Sequence, residues 1–191
     1  YFILPNLSIS AVGPVKSVLL FSRVPLERLD GATIGMTTES DTSVNLLRII
    51  LATFQGFTNS FERTGLPLAE ALRSYAALLL IGDRALKGAL EGGNHHVYDL
   101  GELWHRATGL PFVFALWLVR REAVERKPRE VARLTADFVQ AKGIAYDSYR
   151  AIAAQAPERE WIDSAVLVDY WRTISYDLTP AHLEGVRLFY S

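Results

Sequence analysis

The sequence predicts an α/β fold, and three observations carry that prediction. Apolar runs of strand length alternate with stretches of helical periodicity from the N-terminus to Val119. From Arg120 onward only helical patterns follow, with apolar faces that need a partner surface. Half of the 191 residues are hydrophobic, and four Trp, eight Tyr and nine Phe supply core volume, which marks a packed chain and not a disordered one. The length suits one large domain or two small lobes.

Tyr1 to Ser10 is apolar and β-prone, interrupted by Pro5 and Asn6, and Ala11 to Pro14 is a turn signal. Val15 to Ser22 reads as a second strand, buried in its centre, with Ser17 as the polar residue near its start. Val24 to Asp30 is a connector in which Pro25 can open a helical turn. Thr33 to Met36 is a short strand. Beyond the polar residues Thr37 to Ser43, the apolar positions Val44, Leu47, Ile50, Leu51 and Phe54 line one helical face. Gly56 to Thr64 lacks periodicity and reads as a loop.

Pro67 to Ser74 starts as a helix, and Tyr75 to Ile81 is an apolar run that reads as a buried parallel strand. Gly82 and Asp83 end it and lead into the helix-prone RALKGALEG. His95 to Leu100 reads as a strand. Asp99 to Arg106 reads as a helix that Asp99 caps, with Glu102 at the capping-box spacing and Gly109 and Pro111 as its end. Phe112 to Val119 is the most continuous strand in the chain. The basic cluster Arg120 to Arg129 reads as the solvated start of a helix, since it lacks the interleaved aromatics that stack on bases.

Four helices complete the chain. The first runs from Pro128 through Gln140 with Gly143 as its stop, and the second from Tyr146 to Ala156. The third covers Trp161 to Ile174, with Val166, Tyr170, Trp171 and Ile174 facing inward. Thr179 caps the fourth, which starts at Pro180 and ends near Phe189.

Composition removes several function classes. The net charge of −1 gives no general electrostatic reason to bind nucleic acid or an anionic membrane. With no cysteine, disulfides, thiol chemistry and cysteine-bound metal centres are excluded. No apolar run reaches the roughly 18 residues of a membrane span, and no signal peptide is visible. The cytoplasm is the expected compartment. The chain opens at Tyr1 inside an apolar run, so the natural protein is expected to begin earlier. Glu102 and His105 are spaced as one half of a di-iron motif whose other half is missing, and no metal is predicted. No nucleotide fingerprint or nucleophile elbow is present.

The chemistry concentrates between Thr33 and Phe54, where a strand passes through a hydroxyl-rich turn into a helix N-terminus. Asp41 or Ser40 can cap that helix. The first helical turn carries unpaired N–H groups and the positive end of the dipole, and Ser40, Thr42 and Ser43 add hydroxyl donors beside them. Such a site suits a carboxylate or phosphate. The same hydroxyls can do no more than cap the helix, and Asp41 opposes a bound anion unless its side chain turns away. Asp83, at the carboxyl end of a strand, either faces a ligand or caps the next helix. His95 and His96 alternate across a strand, His105 and His182 sit on helices, and none has the pattern of an oriented base.

The runs ILPNLSISAVGPVKSVLLFSRVPL, TTESDTSVNLLRIIL, LLLIGDRAL, VYDLGELWHRATGLPFVFALWLVRR and ISYDLTPAHLEGVRLFY resemble a family over nearly all of the chain. It is the menaquinone-pathway family related to type II periplasmic binding proteins that includes chorismate dehydratase of the futalosine route. The resemblance implies two α/β lobes with the ligand in the cleft between them. Residues 16–119 would form a central lobe, with residues 1–15 and 120–191 in the other, whose first half would lie upstream of Tyr1. It implies a hydro-lyase that takes chorismate to 3-[(1-carboxyvinyl)oxy]benzoate without a cofactor. The oligomeric state is left open, with a homodimer admitted.

On that resemblance, Ser40, Thr42 and Ser43 would take one substrate carboxylate, and Ser17 would hydrogen-bond near the bond that breaks. Asp83 would be a base only if burial or a neighbour raised its basicity. A substrate carboxylate is the alternative base, since no well-placed His accompanies the site. A sister family that closes the last ring of the bicyclic naphthoate carries a His-Glu pair where this chain has Gly82 and Asp83, which favours the dehydratase. The cyclase and a non-catalytic solute-binding protein of the same fold are the competing readings.

Overall fold

A computed structural model describes residues 1–191. The chain divides into two compact units, Gly13–Gly109 and Tyr1–Val12 with Leu110–Ser191. It has the α/β character predicted, and no helix is long and apolar enough to cross a membrane.

The Gly13–Gly109 unit is built on a five-stranded sheet. Its strands are β2 (Val18–Ser22), β3 (Thr33–Met36), β4 (Ser60–Arg63), β5 (Ala77–Ile81) and β6 (His96–Asp99), in the order β4-β3-β5-β2-β6. β3 runs parallel to β4 and β5, and β2 runs antiparallel to β5 and β6. All five residues of β2 are buried, as befits a strand covered on both faces. Leu19, Phe21, Leu78 and Leu80 point to one face and pack with Ala71 of α2 (Leu68–Ser74) and Ala85 of α3 (Gly82–Glu91). Strand alternation sends Leu20 and Leu79 to the other face. There α1 (Asp41–Ile49) meets β5, and α4 (Leu100–Thr108) meets β2.

Three expectations for this unit need correction. Residues 56–64 are not all loop: Ser60–Arg63 pairs in parallel with β3 as an edge strand. Second, β5 is a buried strand parallel to β3 as expected, but β2 on its other side runs the opposite way, so the sheet is mixed. Third, β2 begins at Val18, so Ser17 lies in the bend before the strand and not within it. The helix predicted beyond Ser43 continues as a π-helical turn over Ile50–Phe54, a widening that keeps Ile50 and Leu51 in the core.

The other unit pairs β1 (Phe2–Ala11) antiparallel with β7 (Phe112–Val119). β7 therefore belongs with β1 and not with the strands of residues 16–100. Pro5 and Asn6 do not end β1. Asn6 takes a left-handed backbone, φ 62°, and the register shifts between Ile3 and Ser8, so the strand absorbs them as a bulge. Ser10 pairs with Ser175 through Ser10 N–H to Ser175 O at 2.9 Å and Ser175 N–H to Ser10 O at 2.8 Å. Lys142 donates from Nζ to Asn6 O at 2.9 Å and Asp177 Oδ1 at 2.7 Å, which fastens the long helix to the bulge.

The helices of this unit are α5 (Arg121–Arg126), α6 (Pro128–Ala153), α7 (Ser164–Trp171) and α8 (Pro180–Phe189). Gly143 does not stop α6, which runs through it for 26 residues. One Gly costs about 1 kcal/mol in a helix interior, too little to break one flanked by good helix formers. α7 is shorter than predicted and turned: Leu167 and Val168 are buried, while Val166 is 42% exposed. Leu167, Val168, Ala153 and Ile162 form the core of these helices, with Tyr149, Trp161 and Trp171 around it.

Candidate functional site

One edge of the five-stranded sheet collects the groups on which the sequence reading settled. β3, β5 and β6 all end there, and each feeds a helix: α1 after four residues, α3 and α4 at once. β2 starts at the same edge, because Val18 pairs with Ile81. Three helix N-termini and the bend before β2 therefore share one rim.

Ser40 is the N-cap of α1. Its Oγ accepts the Ser43 N–H at 3.1 Å and donates to Ser43 Oγ at 3.1 Å. Ser43 is buried and Thr42 half-buried. Within this cluster the Ser43 hydroxyl has the Ser40 hydroxyl as its partner. The Asp41 and Thr42 amides are the first-turn donors that a cap does not use. Asp41 is exposed, and its carboxylate is drawn into an ion pair with Arg63 at the end of β4. The charge that weighed against a bound anion is thus paired with a cation. Thr37, fully buried before this turn, accepts the Glu39 N–H at 3.2 Å.

Ser17 and Gly82 are brought together: the Ser17 carbonyl accepts the Gly82 N–H at 2.8 Å. Ser17 is 6% exposed, and its Oγ lies 3.5 Å from the Val15 carbonyl, at the outer limit of a hydrogen bond. Asp83 is exposed on the first turn of α3. It does not cap that helix, whose N-cap is Ile81 with no side-chain bond. Burial was one condition for a base role, and Asp83 does not meet it.

Asp99 caps α4 as expected, its Oδ1 accepting the Glu102 N–H at 3.1 Å. The Glu102 carboxylate pairs with Arg106. Asp99 also accepts the Val15 N–H at 3.0 and 3.1 Å and the Lys16 N–H at 2.6 Å. Burial pushes the Asp99 carboxyl up, against the pull of those backbone donors, which holds it down. Sequence reasoning missed this second set of partners, and it missed Arg63. The signal for Arg63 was available: a strand and helix such as β3 and α1 call for a parallel strand to follow.

The histidines lie elsewhere. His95 stands edge-on to Phe21, with ring centroids 5.3 Å apart, and His96 stacks on Tyr98. His182 is buried in the other unit, where Nδ1 lies 2.8 Å from Thr179 Oγ1. That unit also has an apolar hollow of about 440 Å³ lined by Trp117, Phe138, Lys142, Tyr149, Trp171 and Tyr176, among others. Its one lining cation, Lys142, is engaged by Asp177 and Asn6. Burial pushes the Tyr149 hydroxyl up to about 12.

The sheet edge offers amide and hydroxyl donors for an anion, without a His beside them. The family model described as menaquinone biosynthesis matches residues 1–191. A chorismate dehydratase from Thermus thermophilus is 33% identical over 202 residues, covering 98% of this chain and 71% of that protein.

Proposed function

Since this chain belongs to the menaquinone biosynthesis family, we propose that it is a hydro-lyase acting on chorismate. The product is 3-[(1-carboxyvinyl)oxy]benzoate. The likeness of nearly the whole chain to a chorismate dehydratase carries this reading. In the reaction a ring C–H bond and the neighbouring C–O bond break, the electron pair of the first closes the aromatic ring, and proton and hydroxide leave as water. The step is redox-neutral and asks for no cofactor. A cytoplasmic location suits such a substrate.

Aromatisation supplies much of the driving force, so the enzyme's share is position and a few preorganised hydrogen bonds. One substrate carboxylate sits on the first turn of α1, against the hydroxyls of Ser40, Thr42 and Ser43. The clustering of those hydroxyls and the pairing of Asp41 with Arg63 support the assignment. Ser17 donates to the departing hydroxyl. Its weak bond to Val15 leaves that proton available. Asp83 lines the same edge but is exposed, which favours a substrate carboxylate as the proton acceptor.

Incubation with chorismate, followed by the absorbance of the aromatic product, tests the reaction. Accumulation of that product is the expected result. A protein that binds chorismate and leaves it unchanged returns the chain to the solute-binding reading.

A further inference from the structure

We infer that Asp99 is a positioning residue of the proposed site: its carboxylate holds the backbone of Val15 and Lys16 and thereby sets where Ser17 stands. This rests on the role proposed above for Ser17. A residue that only capped α4 would need one partner, the Glu102 N–H at 3.1 Å. Asp99 has two more, the Val15 and Lys16 amides, from residues 84 and 83 positions earlier in the chain. The Lys16 bond is the shortest of the set at 2.6 Å, as befits a charged acceptor.

The turn that Asp99 holds does not hold itself. Lys16 has φ 63°, a left-handed backbone that a residue with a Cβ adopts only when its surroundings insist. Val15 is buried, so its N–H depends on acceptors within the protein, the Asp99 carboxylate among them. Packing tells the same story. A Cβ on Gly101 would stand 2.6 Å from the Gly13 carbonyl and 3.3 Å from the Val15 nitrogen. The segment Gly13 to Lys16 is thus laid directly on the first turn of α4, in a space only glycine leaves open.

Ser17 comes next in the chain. On its far side its carbonyl is bonded to the Gly82 N–H at 2.8 Å. On its near side the Asp99-bound turn is the remaining anchor, because the Ser17 hydroxyl has only the 3.5 Å approach to Val15. Release of that turn lets the hydroxyl wander relative to α1 and α3, and a displacement of this kind at a reacting group is costly.

Asp99→Ser separates the two roles. Serine still caps α4 but is too short to reach Val15 and Lys16 as well. The expected result is a folded protein with a lowered Tm, since the buried Val15 N–H loses its carboxylate acceptor, a kcat lowered about 10- to 100-fold and a KM changed much less. Amide exchange at Val15 and Lys16 should accelerate while Glu102 stays protected. Asp99→Asn, which keeps one acceptor oxygen of the same reach, should recover part of both. A serine variant with native kcat, or with unchanged exchange at Val15 and Lys16, overturns the inference. If the wild-type protein does not turn over chorismate, the proposed reaction falls, and exchange at those two amides decides alone whether Asp99 holds the turn.

Discussion

The Ser40 hydroxyl accepts the Ser43 N–H and donates to the Ser43 hydroxyl, each at 3.1 Å. One side chain thus serves as helix cap and as a link in a chain of donors that ends on Ser43. The two functions come apart by substitution. Ser40→Gly costs only a few tenths of a kcal/mol of cap stability, whereas Ser40→Ala costs about 1 kcal/mol. If the cluster binds a substrate carboxylate, both raise KM for chorismate, and Ser43→Ala does so with little loss of Tm. Equal KM for Ser40→Gly and the wild type would leave Ser40 a cap and nothing more.

Arg63 pairs with the Asp41 carboxylate on the first turn of α1, and on the proposed function that pairing keeps a negative charge from the substrate. The pair is exposed, with side-chain accessibilities of 44% and 82%, so its worth to stability is less than about 1 kcal/mol. Its worth to binding is larger, because loss of the guanidinium frees a carboxylate beside the proposed substrate carboxylate. Arg63→Gln is expected to leave Tm within a few degrees and to raise KM several-fold, with Asp41→Asn in the same chain restoring it. Steady-state kinetics of the two single variants and the double variant check this. No rescue by Asp41→Asn would show that Arg63 acts otherwise.

What was legible in the sequence was whatever a short stretch decides. β5 and β7 are continuous apolar runs, and the caps Asp99 and Thr179 announce themselves by position, while that of α1 was narrowed to Asp41 or Ser40. β4 was not legible, since its four residues are largely exposed and owe their strand to pairing with β3. The phase of α7 was lost because Ala165 to Val168 are apolar in succession, which leaves periodicity nothing to choose between. In the site, the Ser40 cluster was visible because its partners lie three residues apart. The bonds from Val15 and Lys16 to Asp99 span more than 80 residues, and no local pattern reports them.

Gly143, inside the uninterrupted α6, offers a test of that helix. A helix stop there would put Gly143 in a left-handed backbone, where Ala is strained. In the uninterrupted α6 its backbone is ordinary, and an added Cβ meets nothing within 4 Å. Gly143→Ala is therefore expected to stabilise the protein by about 0.5–1 kcal/mol. A chemical denaturation curve measures it, and a loss of stability would mean that α6 is broken at that point.

His182 gives the unit that holds it an acid limb. Its Nδ1 lies 2.8 Å from Thr179 Oγ1 and 3.4 Å from the Thr179 N–H, so Nδ1 accepts and the ring proton sits on Nε2. That Nε2 is buried without a partner. Burial lowers the His182 pKa below 6.5, with Asp177 pulling the other way. The unfolded chain takes up the proton first. The stability His182 contributes is therefore complete above pH 6.5 and is lost as the pH falls from there through the lower folded value. Glutamine at this third helical position can still accept from the Thr179 N–H, as in a capping box, but does not titrate. Between pH 7.5 and 5, thermal melts of the wild type should fall further than those of His182→Gln. Parallel decline of the two would place the acid sensitivity on other groups.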